Sequence, residues 1–256
     1  MDILSPPNRF PTVKNYWFFH GNDGPFQFVL AFGTTVNYMQ GKGLTGTYPN
    51  YGVLLWGHHP KLGKVVKMET STKLSFPFES DLFSLKQEGN NFVFEHDDTS
   101  LVFGDQYAQG FDGHFLKSSR FNNQFRETKG KVFGKKFKGR SYIQKVEVAS
   151  PFSSWDWLRF HSKHRGEGYQ IMHVKKPVLY FNETKYPISI TNKDGVMNLS
   201  GEEVDLQTEP YSDYTVVFKG LGRFRYTEFL VKINGKVNGQ KVKDYGIVEE
   251  ARGFII

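Results

Sequence analysis

The chain has 256 residues, no cysteine, and 33 basic against 26 acidic side chains, which gives a net charge of +7. The lack of cysteine excludes disulfides, thiolate catalysis, cysteine-ligated zinc and iron–sulfur clusters. The first eleven residues hold three prolines and no apolar run, and no segment approaches the ~18 consecutive apolar residues of a membrane-spanning helix. We therefore expect a cytoplasmic protein.

The high content of aromatic residues and glycine, with 25 Phe, 13 Tyr and 26 Gly, favours strands joined by tight turns. Residues 14–20 predict a strand and residues 21–24 a turn. Residues 25–36 alternate between apolar and polar positions, which predicts a half-buried strand. The rest of the first half predicts strands at 51–56, 64–72, 92–96 and 100–103, a strand pair or long loop at 107–127, and one short helix in 79–87 or 118–125.

The second half of the chain continues the same pattern. Strands are predicted at 155–161, 169–174, 178–181, 188–191, 204–207, 215–219, 224–233, 236–242 and 247–256. No window keeps apolar residues at the spacing of an amphipathic helix. Strands at short intervals indicate an all-β protein of the barrel or sandwich class.

Internal repetition predicts two domains. The pattern Gly-Lys-Val-x-Gly-x-Lys-x-Lys begins at Gly130 and again at Gly235. Each copy is followed by a predicted strand, and each half of the chain begins with an aromatic strand. We therefore predict an N-terminal domain at residues 1–149 and a C-terminal domain at residues 150–256.

The aromatic stretch Trp155-Asp156-Trp157 lies just past the midpoint of the chain. In a strand, residues two apart point to the same face, so the two tryptophans stand side by side and Asp156 faces the other way. A buried Trp contributes a large apolar surface, and its indole N–H needs a partner. The pair predicts either a plug in a core or the wall of a ligand pocket.

Three segments, in this order, carry a family resemblance. They are the aromatic run 16–20 followed by Phe26-Gln27-Phe28, the sequence Gly139-Arg140-Ser141-Tyr142 leading to the paired tryptophans, and the closing Gly246-Ile247-Val248-Glu249-Glu250. Together they resemble the AttH-like family, which includes carotenoid hydratases and fungal Diels–Alderases. The likeness extends over most of the chain and lies in the order of the segments.

The resemblance implies an all-β fold of two lipocalin-like antiparallel β-barrel domains in tandem, without a cofactor. One departure affects the chemistry. At the junction of the domains, carotenoid hydratases carry Asp and His after the tyrosine, whereas Tyr142 is followed here by Ile143 and Gln144. The acid that would protonate a double bond is missing from that place, so hydratase chemistry is not carried over.

The aromatic residues predict binding of a hydrophobic small molecule, isoprenoid or lipid-like, in a barrel or inter-domain pocket. Such a site has apolar walls and a few convergent polar groups. The expected ligand-binding residues are Trp17, His20, Gln27, Tyr142, Gln144, Trp155, Trp157 and Gln170. The alternative for the aromatic members is that they fill two barrel cores.

An enzyme of isoprenoid or polyketide tailoring, of the hydratase, isomerase or cyclase type, is the second hypothesis. Its acid would be a side chain embedded in apolar strand sequence, because burial raises the pKa of a carboxyl group. The carboxyl groups embedded in this way are those of Asp156, Glu249, Glu228 and Glu69, and the predicted catalytic residues are Asp156, His161 and Glu249. No metal is expected, because His161 and His164 have no third ligand at a recognisable spacing.

A basic segment, residues 129–140, interleaves lysines with Phe133 and Phe137. Such a segment can bind a phosphate backbone or an anionic lipid. Phenylalanines on the inner side of strands favour instead a solvated hairpin whose lysines protect a sheet edge. We expect no nucleic-acid partner, while the positive charge leaves peripheral contact with a membrane surface open.

Overall fold

The computed structural model describes residues 3–5, 14–33, 51–71, 83–114, 119–148, 154–171, 174–220 and 222–255. Every regular element in these ranges is a β-strand, so the protein is all-β as predicted. No helix long and apolar enough to cross a membrane occurs within them. The chain divides into two compact units, Met1–Pro151 and Phe152–Ile256. The predicted boundary between residues 149 and 150 lies outside the described ranges.

Each unit contains one antiparallel sheet of nine described strands. The strands of the first unit are β1 (Lys14–Asp23), β2 (Phe26–Gly33), β3 (Tyr51–His59), β4 (Gly63–Ser71), β5 (Ser84–Glu88), β6 (Asn91–His96), β7 (Thr99–His114), β8 (Ser119–Val132) and β9 (Lys135–Val148). Those of the second are β10 (Trp155–Phe160), β11 (Gly166–Ile171), β12 (Val174–Phe181), β13 (Thr184–Pro187), β14 (Ser189–Lys193), β15 (Val196–Ser200), β16 (Val204–Gly220), β17 (Gly222–Val237) and β18 (Gln240–Ile255).

The two sheets have the same strand order. It is β4-β3-β2-β1-β9-β8-β7-β6-β5 in the first unit and β13-β12-β11-β10-β18-β17-β16-β15-β14 in the second. The first strand of each unit therefore pairs with the last, with Tyr16 opposite Val146 and Trp155 opposite Ala251.

Each sheet curls into a near-closed barrel. The two edge strands of each sheet are consecutive in the chain, and short contacts hold them near each other. In the first unit, Lys67 of edge strand β4 lies 2.6 Å from Asp97, in the turn after β6. In the second unit, edge strands β13 and β14 are separated only by Ile188, whose N–H donates to the carbonyl of Pro177 at 3.4 Å. Closure of this kind protects the edges of a sheet from pairing with other chains.

The core of the first unit is aromatic. Alternation along β1 and β2 places Trp17, Phe19, Phe28 and Phe32 on the inner face, and all four are buried. The rings of Trp17 and Phe32 stack with centroids 5.2 Å apart, and Phe19 lies 5.1 Å from Phe103. Burial of each large side chain stabilises the unit by about 1.5–3 kcal/mol.

Strand β2 is buried on both faces, so the prediction of a half-buried strand is wrong. Gln27 and Val29 lie on the face opposite Phe28 and are fully buried. Phe18 and His20 of β1 are also buried on that face. The alternation of residue types identified the inner face, but it does not show whether the other face is covered.

The core of the second unit is mainly aliphatic. Leu158 and Phe160 of β10 pack there with Met197, Leu206 and Val248. Leu158 and Phe160 define the inner face of β10. The residues that alternate with them, Trp155, Trp157 and Arg159, therefore point outward.

Residues 107–127 lie largely in two strands, β7 and β8, whose register shifts at bulges between Phe103 and Phe111. Bulges of this kind bend a strand and increase its twist. The predicted short helix is wrong within 83–87 and 119–125, where the chain is extended. Its remaining positions, 79–82 and 118, lie outside the described residues.

The sequence repeat has the same backbone conformation in both units. Gly130 and Gly235 have φ angles of +147° and +146°, and a Cβ atom at either would lie within 2.0 Å of a backbone oxygen on the neighbouring strand. The two-residue turns that follow, 133–134 and 238–239, have positive φ at both positions. Such turns match the right-handed twist of a hairpin. The repeated sequence therefore forms the same hairpin in both units.

Candidate functional site

Strand β10 presents its two tryptophans on the face turned away from the core of the second unit. Leu158 and Phe160 of the same strand are fully buried in that core. Trp155 and Trp157 alternate with them and are only half-buried. The tryptophans therefore stand side by side, but they neither plug the core of their own barrel nor line its interior.

Each indole N–H of this pair donates to a carboxylate. Nε1 of Trp155 donates to Oε2 of Glu249 at 3.3 Å, and Nε1 of Trp157 donates to Oε1 of Glu167 at 3.0 Å. Arg159, which is 2% exposed, contacts both acids, with nitrogens 3.3 Å from Glu167 and 3.5 Å from Glu249. We call these five residues, Trp155, Trp157, Arg159, Glu167 and Glu249, the Trp–Glu face.

Further aromatic rings extend the Trp–Glu face across the neighbouring strands. The ring of Trp155 lies 5.4 Å from Phe224 and 5.8 Å from Tyr226, both on β17. The ring of Trp157 lies 5.0 Å from Tyr169 on β11. Centroid distances in this range are typical of favourable aromatic pairs, so each tryptophan is the centre of its own aromatic cluster.

Glu249 is the acid with the most altered environment on this surface. It is 9% exposed, and burial raises the pKa of its carboxyl above the ordinary value of 4.5. Arg159 and hydrogen bonds from Tyr226 and Trp155 oppose this rise in pKa, whereas Glu167 adds to it. A carboxyl that holds its proton to a higher pH is able to act as a hydrogen-bond donor or general acid.

Tyrosine hydroxyls lie near the acids of this face. Glu228 on β17 lies opposite Glu249 in the sheet and accepts a hydrogen bond from the hydroxyl of Tyr226 at 3.0 Å. Burial, followed by the charge of Glu228, raises the pKa of Tyr214. Burial, with Tyr180 and Glu167 nearby, raises the pKa of Tyr169 to about 12. The hydroxyls of Tyr169 and Tyr214 therefore remain protonated at neutral pH.

Glu167, Tyr169 and Tyr226 were not predicted from the sequence. The missing signal is the register of the β10–β11 hairpin, which sets Arg159 opposite Glu167 and Trp157 opposite Tyr169. Residues directly opposite in antiparallel strands share a face and contact each other. Knowledge of this register would have added Glu167 and Tyr169 to the predicted site residues.

Asp156 and Gln170, both predicted as site residues, lie on the inner face of the second barrel. They are opposite each other in β10 and β11. Asp156 accepts hydrogen bonds at 2.6 Å from Arg252 and at 2.6 Å from Asn192. The structure therefore separates these two residues from the Trp–Glu face by the thickness of the sheet.

His161 is fully buried and directly follows β10. The loop that begins after it is held by Asp244, whose carboxylate accepts hydrogen bonds from the backbone N–H groups of Lys163 and His164 at 3.1 and 3.0 Å. Within the described ranges, no three His, Asp or Glu side chains are arranged to hold a metal ion.

The predicted site residues of the first unit fall into two groups. Trp17 belongs to the core, where its indole N–H donates to the carbonyl of Ile3 at 2.7 Å. His20 and Gln27 lie on the opposite face of the sheet and share a hydrogen bond of 2.7 Å. Tyr142, opposite His20 in the register, and Gln144 lie on that same face.

No protein-family model and no curated protein sequence matches the chain. Among solved structures, it is similar to the crystal structure of kievitone hydratase from Nectria haematococca, with a TM-score of 0.58, 12% identity, and coverage of 98% of this chain and 91% of that chain. It is also similar to the crystal structure of CghA, with a TM-score of 0.59, 7% identity, and coverage of 94% and 88%. The chain therefore has the tandem lipocalin-like fold of these proteins.

Proposed function

We propose that the protein binds a hydrophobic small molecule, isoprenoid or lipid-like, against the Trp–Glu face. The observation that carries this proposal is the state of Trp155 and Trp157: side by side, half-buried, and with both N–H groups already bonded to carboxylates. Because the polar edge of each indole is satisfied, the rings can meet an apolar molecule without stranding a donor.

The surroundings have the chemistry of a small-molecule site. Aromatic walls with a few fixed polar groups are typical of such sites, and here Glu249 and the Tyr226 hydroxyl supply polar groups beside the rings. One protein of similar fold is named kievitone hydratase, which supports a small organic ligand. The polar groups predict a ligand that is apolar along most of its length and carries at least one hydroxyl or carbonyl group.

Fluorescence titration of the delipidated protein with isoprenoids and fatty acids tests this proposal. We expect the tryptophan emission to change on binding. Trp157→Leu should remove about 2 kcal/mol of apolar contact, which corresponds to roughly thirtyfold in affinity. Trp17→Phe is the matched control, because Trp17 lies in the core of the first unit and its loss should leave the affinity unchanged.

Two results would contradict the proposal. One is an unchanged emission for every compound in the series. The other is an equal affinity in wild type and in both Trp155→Leu and Trp157→Leu. Native mass spectrometry of the protein as purified adds an independent measurement, since a co-purifying apolar compound should appear in wild type and decrease in these two variants.

The raised pKa of Glu249 favours a second candidate function, an enzyme that tailors isoprenoids or polyketides without a cofactor. In a hydration, the Glu249 carboxyl would donate its proton to one carbon of a double bond. Water would then add to the resulting cation, and the carboxylate would take a proton back from that water. Isomerisation or cyclisation would begin with the same protonation, and Trp155 would stabilise the cation through its ring face.

Substitution of the acid tests this second candidate. Glu249→Gln keeps the shape of the side chain and should lower kcat by roughly 10²–10⁴-fold. Activity in wild type should be lost as the pH rises through the raised pKa of Glu249, because the donor is then ionised. Asp156→Asn and His161→Ala test the other predicted acids. Full turnover in Glu249→Gln would remove Glu249 from the reaction.

A further inference from the structure

One end of the first barrel is formed by four hairpin turns. They are the turns at 23–26, 59–63, 96–99 and 132–135, which connect antiparallel neighbours in the sheet. Contacts join these turns to one another. The ring of Phe26 lies 4.7 Å from His59, and the N–H of Gly134 donates to the carbonyl of Asp98 at 3.1 Å. We call this the hairpin end.

Apolar side chains are exposed at the hairpin end. Leu62 and Val66, on the β3–β4 hairpin, are 45% and 41% exposed. They are two of the four large hydrophobic side chains exposed in the described part of the chain. Exposed Lys61 and Lys64 flank Leu62. A protruding leucine between lysines combines the two features by which proteins attach to the surface of a lipid bilayer.

The β8–β9 hairpin adds a ladder of lysines to the same end. Lys131 lies directly opposite Lys136, and Lys129 directly opposite Lys138, and all four are exposed. Like charges directly opposite each other destabilise a sheet. None of the ion pairs found among the described residues includes Lys131 or Lys136, so no described acid forms an ion pair with this part of the ladder.

The repeated hairpin of the second unit provides an internal comparison. Lys236 lies opposite Lys241 there, but its neighbour on the other side is Asp205. The corresponding neighbour of Lys131 in the first unit is Ser100. The same hairpin is therefore partly neutralised in the second unit and strongly positive in the first.

The acidic side chains described at the hairpin end are fewer than its lysines. The acids are Asp23, Glu95, Asp97 and Asp98, and the lysines are Lys61, Lys64, Lys67, Lys131, Lys135 and Lys136. Asp97 and Asp98 lie 2.6 and 2.8 Å from Lys67, whose single charge offsets one of the two carboxylates. The pKa of His59 is lowered by partial burial and then by the charges of Lys135 and Lys61.

We propose that the hairpin end of the first barrel docks onto an anionic lipid surface, with Leu62 entering the interface and the lysines meeting lipid headgroups. An anionic lipid surface attracts such a ladder, because each lysine close to the surface contributes about fivefold to the affinity. A single-stranded nucleic acid is disfavoured because its bases need exposed rings on which to stack, whereas Phe133 and Phe137 are 5% and 1% exposed. This proposal does not depend on the ligand of the Trp–Glu face.

Vesicle co-sedimentation of the full chain tests the proposal. We expect binding to vesicles of phosphatidylcholine with phosphatidylserine, little binding to phosphatidylcholine alone, and release by high salt. Lys131→Gln with Lys136→Gln should weaken binding by roughly 25-fold, since each lysine contributes about fivefold. Leu62→Ser should weaken binding several-fold at any salt concentration.

The second unit provides the matched control. Lys236→Gln with Lys241→Gln removes the same charge from the equivalent hairpin and should leave vesicle binding unchanged. Equal losses in the two double variants would overturn the proposal, because net charge alone would then explain binding. Equal binding to both kinds of vesicle would also overturn it. So would tight binding to a mixed-sequence oligonucleotide that phosphatidylserine vesicles do not displace.

Discussion

Replacement of Arg159 by methionine tests the electrostatic account of the Trp–Glu face. Methionine keeps most of the length of the side chain and removes only the guanidinium group. In wild type that group is 3.3 Å from Glu167 and 3.5 Å from Glu249, and Arg159 is 2% exposed. The substitution therefore leaves two acids in a largely dry environment without their shared cation.

The expected loss of stability is large at neutral pH. Removing one partner of a buried ion pair destabilises a protein by about 3–5 kcal/mol, because the other charge remains buried and uncompensated. Arg159 normally lowers the pKa of Glu249, so this pKa rises further in the variant. A carboxyl whose folded-state pKa is raised contributes stability at low pH and loses it as the pH rises through that pKa. The defect should therefore shrink on acidification.

Urea unfolding of wild type and Arg159→Met at neutral and at mildly acidic pH measures both effects. The double variant Arg159→Met with Glu249→Gln is the control, because removal of the stranded charge should restore part of the lost stability. Coupling of about 1 kcal/mol or more between the two sites is expected for groups in contact. A loss that is the same at both pH values, together with no recovery in the double variant, would refute the reasoning.

Two further predictions concern the scaffold of the site. Asp244→Ala should destabilise the second unit by about 1–3 kcal/mol, because it leaves the part-buried N–H groups of Lys163 and His164 without their acceptor; Asp244→Asn should lose less, and hydrogen exchange of that loop measures the difference. Gly130→Ala should be strongly destabilising, since its Cβ would lie 2.0 Å from the carbonyl oxygen of Ser100. Gly239→Ala, where a Cβ meets open space, should cost only about 1–2 kcal/mol for its positive φ. Thermal unfolding of the two glycine variants would contradict this ranking if Gly239→Ala were the less stable.

The fold was largely predictable because its signals are local. Strand period, turn residues and the repeat beginning at Gly130 and Gly235 are each read from neighbouring residues, and they specify strands joined by hairpins. The sequence did not reveal β5, which is mostly polar, or β15, whose five residues are too few to establish a pattern. The helix alternatives failed for a related reason: in a few residues, a broken alternation cannot be distinguished from a helical turn.

The candidate site was less predictable because it depends on which face of a strand is covered. The sequence placed Trp155 and Trp157 on one face, but only the packing of Leu158 and Phe160 shows that this face points away from the barrel interior. The prediction that Gln170 shares a site with the tryptophans is wrong, because the face on which Gln170 lies depends on the register of the hairpin, which the sequence does not show. The register sets Gln170 opposite Asp156 instead.

The pairing of the first strand with the last has a consequence for synthesis on the ribosome. Tyr16 cannot pair with Val146 until almost all of the first unit has left the ribosome. Until then, one edge of the aromatic strand β1 has no partner strand. Pairings so distant in sequence form slowly, and open apolar edges attract other chains. We expect nascent chains of this protein to recruit chaperones between the release of β1 and the arrival of β9, and the second unit to repeat that delay with β10 and β18.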